Sequence, residues 1–464
     1  MVKKISKVQE VKIGDFIQLG RYTVLVALLC ELMIFVQLGN MLFMMFSGAV
    51  PTLKACGDLD LSVFVHSKDA CRQLHKIQQN STCQVELQYQ FKSINVEWNY
   101  FCENSHKVKH STSLQMIGVI IGSVIFGQIS DTYGRKKAMI IGLIGCIIFM
   151  MASGFAQDLW TFTVVMLMFS VENLPKKDRL WINSIVSWAP NYVFFSGVAY
   201  LSQDWRNLAK YMSVLTFPAL LLCFFMPESA QFLIRKGKTE EAKKEFETSK
   251  KRSKKYTYIH LFYTWTFFIT SIVNYGFLFN MEKLSGSIYI NAVLVGLLRY
   301  CINLVVAFCD FRFPWLGRKK IHLTSWLEII FAVFTITVIH AYDQEHHYST
   351  VIRWLTMSVI ASAAQLYLSN GIASGELFPT CVRTLAYSFA QSQSRIGVVL
   401  APQLFLLSDF WSPLPYLVMG ILGTTDMLIF HFSVPETKGQ PLVEDMPLSK
   451  KSIILSETEK LNQI

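Results

Sequence analysis

The chain of 464 residues is 52% hydrophobic and only 16% charged, with a net charge of +11. That is too apolar for an ordinary soluble enzyme and too long for one soluble core. The cations stand in short clusters (Arg135–Lys137, Lys176–Arg179, Arg235–Lys255 and Arg318–Lys320) between apolar runs, which reads as a positive-inside bias rather than a nucleic-acid patch.

The opening MVKKISKVQE is basic, with no apolar core or cleavage site behind it, so residues 1–21 are expected to be a cytoplasmic segment and not a signal peptide. Apolar runs of about twenty residues, the length that crosses roughly 30 Å of hydrocarbon, predict spans over 22–47, 112–130, 138–156, 159–174, 181–202, 211–226, 257–281, 288–309, 321–341, 352–373, 384–407 and 414–433. The expected fold class is an all-α polytopic membrane protein whose partner is the lipid bilayer.

With the N-terminus inside, residues 48–111 become a large external loop. Cys56, Cys71, Cys83 and Cys102 gather there, beside the N-glycosylation sequon Asn80-Ser81-Thr82. Four cysteines in an oxidising space predict two disulfides with three possible connectivities. Every basic cluster then falls on the inside.

The fourth span is short. Between AQD (156–158) and PKKDR (175–179) lie sixteen residues, LWTFTVVMLMFSVENL, which cover about 24 Å as a helix. Parity still demands a crossing, because GRKK and PESAQ both lie inside. Residues 227–256 form a cytoplasmic linker rich in Lys and Glu, expected to make short amphipathic helices on the inner membrane face. The second set of spans fills 257–433, and residues 434–464 are a polar cytoplasmic tail.

The two sets repeat one another. Asp131-Thr-Tyr-Gly134-Arg135-Lys-Lys follows the second span; Leu316-Gly317-Arg318-Lys-Lys, with Asp310 upstream, follows the eighth. Pro227-Glu228-Ser follows the sixth span and Pro435-Glu436-Thr the twelfth. Gly134 and Gly317 permit tight inner turns, and Glu228 and Glu436 are placed to pair with Arg135 or Arg318. Such pairs would close the inner side and break when it opens. From Gly134 to Pro227 is 93 residues, but from Gly317 to Pro435 is 118, so the shorter first half agrees with a curtailed fourth helix.

These residues resemble the major facilitator superfamily of secondary transporters, and within it the organic cation, anion and carnitine transporter family. The resemblance rests on VKIGDFIQLGRY (12–22), VEWNYFC (96–102), GVIIGSVIFGQISDTYGRKK (118–137), SQDWRNL (202–208), PESAQFLIRKGKTEEA (227–242), NYGFLFN (274–280), GELFPTCVRTLA (375–386) and PETKG (435–439). It implies two six-helix bundles, 22–226 and 257–433, with a binding cavity between them at mid-membrane, alternating access, and a small organic ion as substrate. It also implies a plasma-membrane location, and adds Glu376 and Arg383, beside FPTC, to the inner gate. In the family the fourth helix carries a basic residue followed by spaced small residues; neither stands here. A transport-inactive relative is therefore the alternative to a working carrier.

Arg395 lies in the eleventh span, twelve residues beyond Arg383, about 18 Å along a helix and just past mid-membrane. A charge at that depth costs on the order of 3 kcal/mol, so it is expected to face the bundle interior, on a turn made polar by Gln391, Ser392, Gln393 and Ser394. The resemblance sharpens this, because anion- and carnitine-type members tend to carry Arg at this place and cation members Asp. Arg395 thus favours an anionic or zwitterionic substrate, whose carboxylate it would take bidentately; an organic cation is the alternative. The competing structural reading pairs Arg395 with Glu31 or Asp426.

Arg299, where the family more often shows an acid, either adds positive potential or pairs with Glu328. Trp265, Tyr275 and Tyr367 are candidate stacking walls for a flat organic ion. No Cys/His spacing suggests a metal, and no Walker sequence or Ser/His/Asp constellation suggests ATP hydrolysis or enzymatic catalysis; no cofactor is expected. The sequence sets no oligomeric state.

Overall fold

A computed structural model describes residues 21–172, 188–225, 254–377 and 380–438, apart from positions 58, 62, 63, 65, 66, 81, 82 and 314. The cluster 176–179, the linker with Glu228 and the tail beyond 438 lie outside the described residues. The chain begins with α1 (Arg21–Ser47) and then enters the loop, which holds β1 (Thr52–Cys56), β2 (Leu59–Asp60), α2 (Ser67–Asn80), β3 (Val85–Gln88) and α3 (Ile94–Glu97). There follow α4 (His106–Tyr133), α5 (Arg135–Ser153), α6 (Leu159–Glu172), α7 (Trp188–Ser202) and α8 (Trp205–Phe225). The second half holds α9 (Lys254–Phe279), α10 (Ile288–Arg312), α11 (Arg318–Ala341), α12 (Ser349–Leu377), α13 (Thr380–Leu404) and α14 (Leu414–Ser433).

Apart from the small loop elements α2 and α3, the helices follow the expected spans in order. Among the described residues eight of them are long and apolar enough to cross a membrane by length and composition. The other four are α6 and α7, with 14 and 15 described residues, α9, and α13, which carries the polar turn around Arg395. The large side chains that remain exposed are apolar and recur at helical spacing, as in Leu304, Phe308 and Phe311 of α10, or Leu327, Phe331 and Phe334 of α11. Meanwhile Ser271, Asn274, Asn291, Asn370 and Asp426 are buried. That inversion, apolar outside and polar within, is what a hydrocarbon solvent selects.

Within the first half α1 packs on α7 and α8, α4 on α6, and α5 on α6 and α8; within the second, α9 packs on α12, α13 and α14, and α11 on α12 and α14. The halves meet where α4 lies against α13 and α7 against α10. Close approach rests on absent side chains at the α7–α10 seam and, within the second half, between α13 and α9. A Cβ on Gly296 of α10 would stand 2.7 Å from the Tyr192 Cβ and 2.9 Å from the Ala189 carbonyl oxygen of α7. A Cβ on Gly397 of α13 would strike the Phe268 carbonyl oxygen of α9.

The loop adds a short sheet to an otherwise helical fold, antiparallel in the order β2-β1-β3, with Cys56 opposite Leu59 and Val85. Disulfides join Cys56 to Cys83 and Cys71 to Cys102, one of the three pairings left open. Leu61 and Leu74 fill the small core beside them. The sequon residue Asn80 ends α2, while Ser81 and Thr82 lie outside the described residues. Two family-like motifs bind this loop to the first half. Glu97 of VEWNYFC accepts from Arg206 Nε at 2.8 Å and from Trp205 Nε1 at 2.9 Å, both of SQDWRNL. Burial pushes the Glu97 carboxyl up, but the hydrogen bonds from Arg206 and Trp205 and the charges of Arg206 and Lys92 outweigh it, holding the group below its ordinary range.

Candidate functional site

The polar turn of α13 lies against α9 because Gly397 lets the two backbones touch. There three hydroxyls from three helices converge: Ser271 Oγ of α9 is 2.7 Å from the Tyr367 hydroxyl of α12 and 2.6 Å from Ser394 Oγ of α13. Ser271 has one proton, which it donates to the Phe267 carbonyl at 2.7 Å. Tyr367 and Ser394 must then both donate to Ser271, which leaves their own lone pairs available. Gln391 donates to the Tyr387 hydroxyl at 2.9 Å one turn away.

Arg395 stands next in this turn, half-buried. Its charge reaches Tyr275, Tyr367 and Tyr387, and Tyr275 also feels Arg299 and Tyr192 from the seam. Among the described residues Arg395 makes no ion pair and no hydrogen bond. Neither acid expected to neutralise it pairs with it. Glu31 accepts from Asn191 Nδ2 at 2.8 Å, and Asp426 faces His322 at 3.6 Å, both fully buried. Permanent pairing of Arg395 with either is corrected accordingly.

Arg299 does not pair with Glu328 either. Its guanidinium donates to the Tyr192 hydroxyl at 2.7 Å, across the α7–α10 seam, and lies 5.3 Å from the centre of the same ring. It is 7% exposed. Of the candidate walls, Tyr275 is buried and belongs to this group. Trp265 is 39% exposed and packs on Phe268 at 5.8 Å instead. Asn191 and Tyr192 were not singled out in the sequence; adjacent on α7, they serve Glu31 and Arg299, and no motif marks them. The described residues therefore include two arginines without ion pairs, Arg299 and Arg395, whose charges both reach Tyr275.

The repeated inner motifs fall at the opposite end from the loop. The two glycines do different work there. Gly134 has φ of +107°, a backbone that favours glycine, whereas Gly317 has an ordinary φ and is needed for space, because a Cβ there would overlap the Glu436 carboxylate. That carboxylate accepts the amides of Arg318 at 2.8 Å and Lys319 at 3.2 Å, capping the N-terminus of α11. The Arg318 guanidinium pairs with Asp310 at 2.9 Å and Glu376 at 3.7 Å, and Lys438 holds Asp310 at 2.9 Å. Glu436 thus caps a helix rather than pairing with the Arg318 side chain, and these ion pairs all lie inside the second half. The side chains of Asp131, Arg135 and Arg383, and all of Glu228, lie outside what is described.

Among the described residues, bonds between the halves sit at mid-bundle or at the loop end. Ser113 of α4 donates to the Val399 carbonyl at 3.0 Å and accepts from Gln403 at 2.8 Å. Gln90 of the loop donates to the Gly286 carbonyl at 3.0 Å and accepts the Ile288 amide at 2.9 Å. His106 stands 3.4 Å from Asp409.

Comparison with known proteins agrees with this architecture. The family model described as "Sugar (and other) transporter" matches residues 69–170, 187–263 and 259–446. Solute carrier family 22 member 16 of Xenopus laevis is 28% identical over 408 residues, covering 76% of this chain and 70% of its own. The organic cation transporter protein of Drosophila melanogaster is 26% identical over 430 residues, covering 79% and 76%. In structure the chain is similar to the D-xylose–proton symporter, with a TM-score of 0.65 at 16% identity over 91% of this chain and 100% of that one. It is similar also to the inward-open xylose transporter of E. coli, with a TM-score of 0.62. The fold is that of the major facilitator superfamily, and the chain belongs to the sugar (and other) transporter family, as a multi-pass membrane transporter.

Proposed function

We propose that this chain carries small anionic or zwitterionic organic ions across the membrane by alternating access. The observation that carries this reading is Arg395: a half-buried guanidinium that makes no ion pair among the described residues, and whose charge reaches Tyr275, Tyr367 and Tyr387. A desolvated cation without a counter-ion is costly, and a substrate carboxylate would relieve that cost with two parallel hydrogen bonds. Arg299 adds a second positive charge that also reaches Tyr275. The tyrosine rings supply apolar walls for the body of such an ion.

The bonds between the halves at the loop end support a state that is closed at that end. In that state the loop end is outside and both termini are cytoplasmic, in line with the positive-inside bias. Lys438 and the capped α11 make the inner end of the second half a rigid block that moves as one.

Organic cation transport is the second reading, favoured by the names of two Drosophila relatives and by rings that suit a cation. A transport-inactive chain is the third, favoured by the sixteen residues available to the fourth span between AQD (156–158) and PKKDR (175–179). Uptake into liposomes holding the purified full-length chain separates all three. Saturable entry of a labelled aromatic carboxylate supports the first, preferential entry of a labelled quaternary ammonium the second, and no saturable entry of either the third.

A further inference from the structure

At the loop end, a cavity of about 30 Å³ lies between the halves, lined among others by Lys109 and Thr112 of α4 and by Asn280 and Glu282 of the α9–α10 connection. Its size suits a water molecule, not an organic ion. Glu282 belongs to the second half, yet its carboxylate accepts the Val50 amide of the first half at 3.1 Å. Asn280 Oδ1, buried at the same cavity, has no hydrogen-bond donor. We propose that Glu282 is a proton-binding site in the seam between the halves, and that taking up a proton there holds the loop end closed.

The chemistry is balanced by a single proton. In the protonated carboxyl the carbonyl oxygen keeps the Val50 bond, and the new O–H needs one acceptor, which Asn280 Oδ1 or a cavity water supplies. The charged groups around it are Lys109, His106 and His110 from α4, the neighbouring Lys283, and Asp409 beyond α13. Burial pushes Glu282 up to about 7, further than Lys109, Lys283 and the Val50 amide pull it down. When the halves part at this end the carboxyl meets water and returns towards its ordinary 4.5. The closed state therefore binds the proton more tightly, so acid favours closure and the effect fades as pH rises through 7. Between pH 8 and pH 6 the closed-to-open ratio rises about tenfold by linkage.

This deepens the alternating-access reading, but its readout needs no substrate. Hydrogen–deuterium exchange of the full chain in nanodiscs, corrected for intrinsic rates, is followed over residues 48–52 and 284–291. Protection is expected to rise about tenfold from pH 8 to pH 6. Glu282→Gln, neutral and still an acceptor, should be protected at both pH values, and His106→Gln should keep the step. Lys109→Gln, which tests the idea even if the first variant misfolds, should move the step to higher pH. Protection that falls on acidification would instead make a Glu282–Lys109 ion pair the latch and overturn the proposal. So would a pH step that survives in Glu282→Gln or stays in place in Lys109→Gln. If the step appears but no uptake is found, the proton site stands and the transport reading fails.

Discussion

Arg299 on α10 donates a 2.7 Å hydrogen bond to the Tyr192 hydroxyl on α7, joining the two halves through a charge that is only 7% exposed. The bond exists because Gly296, three residues earlier, lets α7 approach until Tyr192 lies on the α10 backbone. Removing the hydroxyl with Tyr192→Phe keeps the ring and leaves the guanidinium without its acceptor. A loss of roughly 1–3 kcal/mol is expected for a buried group so orphaned. A lowered melting temperature in detergent checks this; an unchanged one would mean that Arg299 has another acceptor.

The Gly397 contact gives a second prediction. Gly397→Ala forces a methyl group against the Phe268 carbonyl, so α13 must move off α9 at a cost of about 1–3 kcal/mol. Because Ser394 and Arg395 ride on that turn, substrate affinity should fall more than expression does. Radioligand binding normalised to folded protein, compared with Gly420→Ala on α14, reads the difference, since a Cβ at Gly420 meets only Val333 at an ordinary 3.6 Å.

Docking of the loop should depend on acid in a defined direction. Glu97 is held below its ordinary range in the folded chain, so its contribution is present above about pH 4.5 and lost as pH falls through the folded value. Glu97→Gln abolishes that dependence and weakens the loop at neutral pH, because Arg206 loses a 2.6 Å ion pair. Protease susceptibility of residues 59–105 is the measurement: the native chain should become cleavable only in acid, the variant already at pH 7.

Much of this was legible in the sequence because membrane spanning leaves a strong trace. Twenty-residue apolar runs fixed the helix order, and the doubled Gly-Arg-Lys-Lys and Pro-Glu signals marked the two halves. What stayed hidden were partners chosen by tertiary packing. The pattern that pointed from Glu436 to Arg318 was right about the neighbours but wrong about the atoms, because the carboxylate sits on the α11 backbone. The partners of Glu31, Arg299 and Asp426 are a single Asn, Tyr and His on distant helices, and no local periodicity distinguishes those residues from packing. Glu282 was invisible for a related reason: an acid in a short turn looks solvated until the other half closes over it.

The central claim is that Arg395 reads the charge of the substrate. Competitive uptake of a labelled aromatic carboxylate against a quaternary ammonium of similar size, in liposomes containing the native chain or Arg395→Asp, tests it most directly. Exchanging a bidentate cation for an anion should change the ratio of the two uptakes by at least about tenfold, near 1.4 kcal/mol, and turn the preference towards the ammonium. A folded Arg395→Asp chain that keeps the native preference would contradict the account.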